Sequence, residues 1–372
     1  MFVCLFVCLL NMNIEVGKYY IYGQEEIGYS FEELLSLNVD GDTKVFSFGF
    51  PNWVTIDRLK QNEFPDLYLP VFVLNVPIIW ILEKLNIDAS NERLSNIVHF
   101  RNSHKIDKSI AEVNSHGILD TQFHIEFCGC YAQFYWNLCY CVGAIWTEIY
   151  VEGNSFENNI EVERGYDCFM AGMDLFDDYD SSRYFDLINP FNNHESKYVR
   201  FANNFYVYGM CFFMCHEISH VELNHTISYT QGELDSSILQ QEEIAADNAA
   251  MWMMYDVISR DDINGKYSLC GIIIAICSLM FVDSTLEGGS EHPSPIVRLK
   301  TILNHIENNY GYHEEPWAIA CICIQLWAFY YKKMDQFPDI REPLAKESFN
   351  KVLFFIEHLN DKEETIGSTK DS

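Results

Sequence analysis

The protein comprises 372 residues, of which 49% are hydrophobic and 15% aromatic, enough to bury a large core and to exclude a disordered protein. Its 24 Lys and Arg against 54 Asp and Glu give a formal net charge of -30, which repels phosphate backbones and anionic membrane surfaces, so nucleic acid is not expected as a partner. The acidity reads as a solubility device, with a basic protein substrate as the sharper alternative.

In sequence order, "MFVCLFVCLLNMN" looks like a signal core but has neither a basic start nor an A-x-A-like cleavage site. We therefore expect residues 1–11 to be an over-extended start, with Met12 opening the protein. Residues 12–117 mix strand-like runs ("KYYIYG", "KVFSFGF") with helical ones ("VPIIWILEKLN", "NERLSNIVHF"), which predicts an α+β N-terminal section. The stretch from 118 to 152 is so uniformly apolar and aromatic that strands or a buried helix would both fit. Within it, Thr121–Phe127 ("TQFHIEF") is the candidate edge strand for an extended substrate.

The 13 cysteines are odd in number and sit mostly inside apolar runs such as "GIIIAICSLMF", which suits free buried thiols in a reducing, cytoplasmic compartment. Two C-x-C pairs, Cys128/Cys130 and Cys139/Cys141, could supply four thiolates to zinc. Their aromatic surroundings lack the turn residues of a zinc knuckle and favour buried thiols instead.

The acidic run Asp174–Asp186 lacks the glycine and terminal glutamate of a calcium loop and reads as a solvated connection. From there helices are predicted over Glu195–Asn224, Glu233–Ser259, Tyr267–Val282, Pro295–Asn309 and Glu315–Met334, followed by a frayed tail, "NDKEETIGSTKDS". The apolar runs Leu269–Val282 and Trp317–Tyr331 are shorter than the 18 to 20 residues a membrane span needs, so they predict core helices, and membrane association is not expected.

Chemistry concentrates in "MCHEISHVELNH". His216-Glu217-Ile218-Ser219-His220 fits H-E-x-x-H, and on a helix the two histidines lie about 40° apart, so both imidazoles can reach one ion. Glu217 sits about 100° round from His216, where a general base for a zinc-activated water belongs. His225 falls one residue short of the third histidine of the metzincin pattern and about 180° from His216, which makes it a surface or second-layer histidine. The better third ligand is Glu243, in an E-x-x-A-D pattern with Asp247 one turn on and small alanines between. Asp247 is then placed to accept the outer N–H of a ligating histidine. Glu242 has no such partner.

Together these motifs resemble the gluzincin metallopeptidases that pair H-E-x-x-H with E-x-x-A-D, the HtpX and CAAX-prenyl-protease group. "EHPSPIVRLKTIL" is similar to that group's H-P-x-x-x-x-R segment. The resemblance implies that His292 and Arg298 assist substrate or transition-state binding beside the metal. It spans Phe201–Leu303, and it departs from the group in having no clear transmembrane helices. A soluble branch fits that departure: the Lit-type phage-exclusion peptidases carry the H-E-x-x-H motif near the middle of a cytoplasmic protein and cleave a host translation factor.

The sequence thus predicts a mainly α (α+β) fold. A zincin-like catalytic domain spans residues 118–345, and 346–372 form the C-terminal helix end and a flexible tail. The predicted activity is a zinc-dependent endopeptidase acting on a protein or peptide substrate, with Zn2+ on His216, His220 and Glu243, Glu217 as base, and Asp247 behind a ligating histidine. The competing readings are a non-catalytic zinc protein that binds a partner, which has no use for Glu217, and an integral membrane peptidase.

Overall fold

The computed structural model describes residues 19–21, 24–29, 31–37, 39–40, 42–47, 54–56, 99–103, 111–115, 123–176, 196–225, 235–259, 265–282, 286, 289, 292–331 and 344–367. These residues are mostly helical, as the sequence predicts.

Two small sheets stand on the N-terminal side. Strands β1 (Tyr19–Ile21), β2 (Gln24–Tyr29), β3 (Lys44–Ser47) and β4 (Val54–Thr55) form an antiparallel sheet of order β2-β1-β3-β4, with helix α1 (Phe31–Ser36) between β2 and β3 in sequence. The second sheet has order β5-β7-β6, from β5 (His99–Ser103), β6 (Ala111–Ser115) and β7 (Phe123–Cys128); β5 runs parallel to β7 and β6 antiparallel. Two expectations from the sequence are corrected by this sheet. His99 and Phe100, read as helical, begin a strand, and the described part of the segment read as an edge, Phe123–Phe127, lies in the central strand of its sheet, hydrogen-bonded on both sides. The helix predicted over 76–86 lies outside the described residues.

After β7 the backbone enters helix α2 (Gly129–Ile145), which runs on into a π-helical turn, Trp146–Val151. The ambiguous stretch is therefore both things in succession, a strand and then a buried helix. Helix α3 (Ile160–Asp174) was not evident in the sequence; Asn159 caps it by accepting from the backbone N–H groups of Glu161 and Val162. The acidic connection that follows lies largely outside the described residues.

The helical core consists of α4 (Lys197–Glu222), α5 (Ser236–Ser259), α6 (Gly265–Val282), α7 (Pro295–Tyr310), α8 (Glu314–Tyr330) and α9 (Ala345–Gly367), each close to its predicted span. The exception is α9, which extends into the predicted tail. Central α4 packs on α2, α5 and α6, while β6 lies against it from the small sheet. With few breaks its side chains from Phe205 to Val221 are buried, because apolar residues cover its whole circumference. Such a helix has to be enclosed on all sides.

Close approach to α4 depends on two glycines. A Cβ at Gly209 would fall 1.7 Å from Tyr135 Oη, and one at Gly271 would fall 2.5 Å from the Phe205 carbonyl oxygen. The space left open is used by Tyr135, which donates its hydroxyl to Gly271 O at 3.0 Å and joins α2, α4 and α6.

No described helix is long and apolar enough to cross a membrane. Helices α6 and α8, the two runs at issue, pack against one another inside the bundle. Nine cysteines among the described residues are free and buried, Cys139 and Cys141 included, and burial pushes the Cys215 thiol up to about 12. The side chains of Cys128 and Cys130 lie outside the described residues.

Candidate metal centre

Helix α4 brings His216, Glu217 and His220 to its C-terminal end, and α5 crosses there with Ala246 fully buried in the contact. The alanine matters because a larger side chain would hold the helices apart. Across the gap His216 Nε2 is 3.4 Å from Glu243 Oε2, His220 Nε2 is 3.3 Å from Glu243 Oε1, and the two Nε2 atoms are 3.0 Å apart. These three are the group among the described residues able to hold a metal ion, and all are buried. Glu242 does not join them.

The spacing fits a metal. Tetrahedral coordination at 2.0–2.2 Å puts neighbouring ligand atoms about 3.3–3.6 Å apart, and two of the observed distances lie in that range, with the histidine pair slightly closer. Two imidazole nitrogens and a carboxylate form a donor set suited to zinc and its first-row neighbours.

Behind the ligands the polar groups are layered. His216 Nδ1 lies 2.9 Å from Asp247 Oδ1, within reach of a hydrogen bond although not well aligned with it. Asp247 is held in turn by Arg298 of α7, which donates Nε to Oδ2 at 2.8 Å and Nη2 to Oδ1 at 2.7 Å and places Nη1 3.3 Å from Glu243 Oε2. The start of α7 explains how Arg298 is aimed: Ser294 caps it by accepting from Ile296 N–H, and Pro295 supplies the first turn. Ser294 also donates to Leu286 O at 2.5 Å, fixing the approach of the backbone.

Electrostatics follow from this crowding. Burial pulls the His216 imidazole down, but Asp247 and Glu243 outweigh it and lift it to about 10. For Glu243, burial raises the carboxyl, yet hydrogen bonds from His216, His220 and His292 hold it far below the carboxylate range. Asp247 is likewise depressed against its burial, mainly by Arg298. Glu217 keeps partial exposure, but the protein packed round its carboxyl raises it, with His216 and His220 opposing.

Each residue singled out from the sequence lies in or beside this cluster. His292 places Nδ1 3.4 Å from Glu243 Oε2 with its side chain 57% exposed, on the open side. Arg298 differs from expectation in where it is engaged: only 6% of its side chain is exposed, and its guanidinium is taken up by Asp247 and Glu243. Of the two places expected for His225, surface or second layer, the structure gives the second: it is buried, with Nδ1 3.0 Å from His220 Nδ1. Its angle was projected along a helix that ends two residues sooner, at Glu222; the signal available in the sequence was the Asn224-His225 pair, since asparagine tolerates the left-handed turn found there.

A family model described as Peptidase U49 matches residues 127–320, just over half of the chain. The chain belongs to the peptidase U49 family. The match begins in β7 and ends within α8, so the whole U49 segment encloses the cluster and the helices that build it. Comparison with curated proteins and with solved structures found no significant match. Membership of U49 supports a peptidase, and the buried histidine–glutamate group could supply its metal site.

Proposed function

We propose that this U49 peptidase is a zinc-dependent endopeptidase. The observation that carries the reading is the convergence of His216, His220 and Glu243 on one point, at 3.0 to 3.4 Å from one another, with Glu217 next to a ligand. A zinc ion held by these three side chains supplies a Lewis acid that lowers the pKa of a water to about 7. Glu217 takes the proton from the water as its oxygen adds to the peptide carbonyl, and returns it to the amine as the C–N bond breaks. The raised affinity of its carboxyl for protons suits that exchange. His292, at the exposed rim, stabilises the developing oxyanion. Arg298 acts as a positioning residue: it fixes Asp247 behind His216 and restrains Glu243, and it does not face the substrate.

An extended protein substrate suits the surroundings. Among the described strands β6 pairs only with β7, and it lies against α4, so it takes the edge position sought at Thr121–Phe127. The free buried thiols favour a cytoplasmic setting. There, a Lit-type role in excluding phage by cleaving a host protein follows from the resemblance of the motifs.

The test uses the full-length protein. Elemental analysis should find about one zinc per molecule, and an unfolded protein substrate should be cut. Glu217→Gln should retain the metal and lose about 10²- to 10⁴-fold in turnover. Undiminished hydrolysis by that variant would remove Glu217 from the mechanism.

A further inference from the structure

We infer that His225 is the positioning residue of His220, the neutral counterpart of Asp247 behind His216; this rests on the metal-site reading above. The geometry defines which nitrogen does what. His220 Nε2 faces His216 Nε2 at 3.0 Å and Glu243 Oε1 at 3.3 Å, so Nε2 is the atom directed at the metal position and has to be unprotonated to coordinate. The ring proton then resides on Nδ1, and that N–H meets His225 Nδ1 at 3.0 Å. His225 accepts, which requires its own proton on Nε2 and a neutral ring. The two rings stand nearly perpendicular, centroids 5.1 Å apart and planes at 71°, so the contact is edge to edge through nitrogen and not a stack.

The backbone is shaped to deliver this partner. Helix α4 ends at Glu222, and Asn224 adopts a left-handed conformation at φ 61°. That turn folds His225 back on the last helical turn, where it is buried at 8% exposure. A helix continued through 225 would have carried the ring to the opposite side.

The two ligand histidines thus have unlike partners. Asp247 is anionic and makes His216 the more basic donor, while Arg298 offsets its charge. His225 fixes the tautomer and ring angle of His220 without adding a second negative charge. An anion in that place would reduce the net positive charge at an occupied site and so its power as a Lewis acid.

The test measures zinc affinity, by competition with a chromophoric chelator, on the full-length protein. His225→Ala should lose about 10- to 100-fold in affinity. In His225→Gln the side-chain carbonyl can still accept, and affinity should stay within about threefold of the natural protein. Asn224→Gly should match the natural protein, while Asn224→Ile, barred from the left-handed turn, should fall with His225→Ala. Thermal unfolding of the metal-free proteins separates a general loss of fold; if His225→Ala does not fold, the Gln, Gly and Ile variants decide. Unchanged affinity in His225→Ala, or equal loss in His225→Gln and His225→Ala, overturns the assignment. Failure of the metal reading looks different, because the natural protein and His216→Ala would then bind zinc equally poorly, and the role of His225 would fall with it.

Discussion

Arg298 and Asp247 meet through two parallel hydrogen bonds, Nε to Oδ2 at 2.8 Å and Nη2 to Oδ1 at 2.7 Å, with both side chains almost fully buried. Removing one member of such a pair leaves the other charged and dry. Arg298→Met is expected to destabilise the fold by about 3–5 kcal/mol, and to weaken metal binding because Asp247 no longer holds His216. Arg298→Lys restores the charge without the planar fork and should recover only part of the loss. Thermal unfolding and zinc titration check this. An arginine that served substrate alone would instead raise KM and leave stability unchanged.

Zinc binding should stabilise the protein by mass action, since the site joins α4 to α5 and does not exist in the unfolded state. At a hundredfold excess of free ion over Kd the gain is about 2.7 kcal/mol. Chelation should therefore lower Tm, zinc should restore it, and His216→Ala should be insensitive to both. An identical response in that variant would locate the ion elsewhere.

Gly209 tests the packing that holds α4 in place. In Gly209→Ala the new Cβ would strike the Tyr135 hydroxyl, which is buried and has little room to move, so a loss of about 1–3 kcal/mol is expected in denaturant unfolding. Tyr135→Phe alone should cost about 1 kcal/mol through the bond to Gly271. Because it removes the clashing oxygen, it should also make Gly209→Ala less harmful in the double variant. Strict additivity would mean that the two residues do not meet.

Glu148 gives a signature in acid. Tyr198 donates its hydroxyl to this buried carboxylate, joined by Asn159 Nδ2 at 3.0 Å and Asn154 Nδ2 at 2.8 Å, and its pKa falls to about 2. The folded value lies below the unfolded one of about 4.3, so the stabilisation is complete above that pH and disappears as pH falls toward 2. Glu148→Gln should be less stable at neutral pH and should show a flatter loss of stability through that acid window.

The sequence disclosed the late helices well because their punctuation is local: Ser196 caps α4, Ser294 and Pro295 open α7, and Gly311 at φ 85° closes it. The ligand residues were legible for a similar reason, since His216/His220 and Glu243/Asp247 each repeat at one helical turn. What the sequence did not disclose depends on contacts between distant residues. The resemblance assigned Arg298 to substrate or transition-state binding, and nothing near it in sequence reveals that Asp247, on another helix, occupies its guanidinium. His225 stayed open between the surface and the second layer because one left-handed residue invalidates a projection from ideal geometry. Thr121–Phe127 read as an edge because hydropathy alternation does not count neighbours on either side.

The guanidinium that secures Asp247 arrives from a helix that begins at Pro295, after the segments bearing the histidines and Glu243. A nascent or truncated polypeptide that stops before that helix carries the whole H-E-x-x-H signature without the counter-charge that steadies its supports. Fragments cut to the motif will therefore misrepresent the protein, and the smallest piece worth expressing must reach past α7.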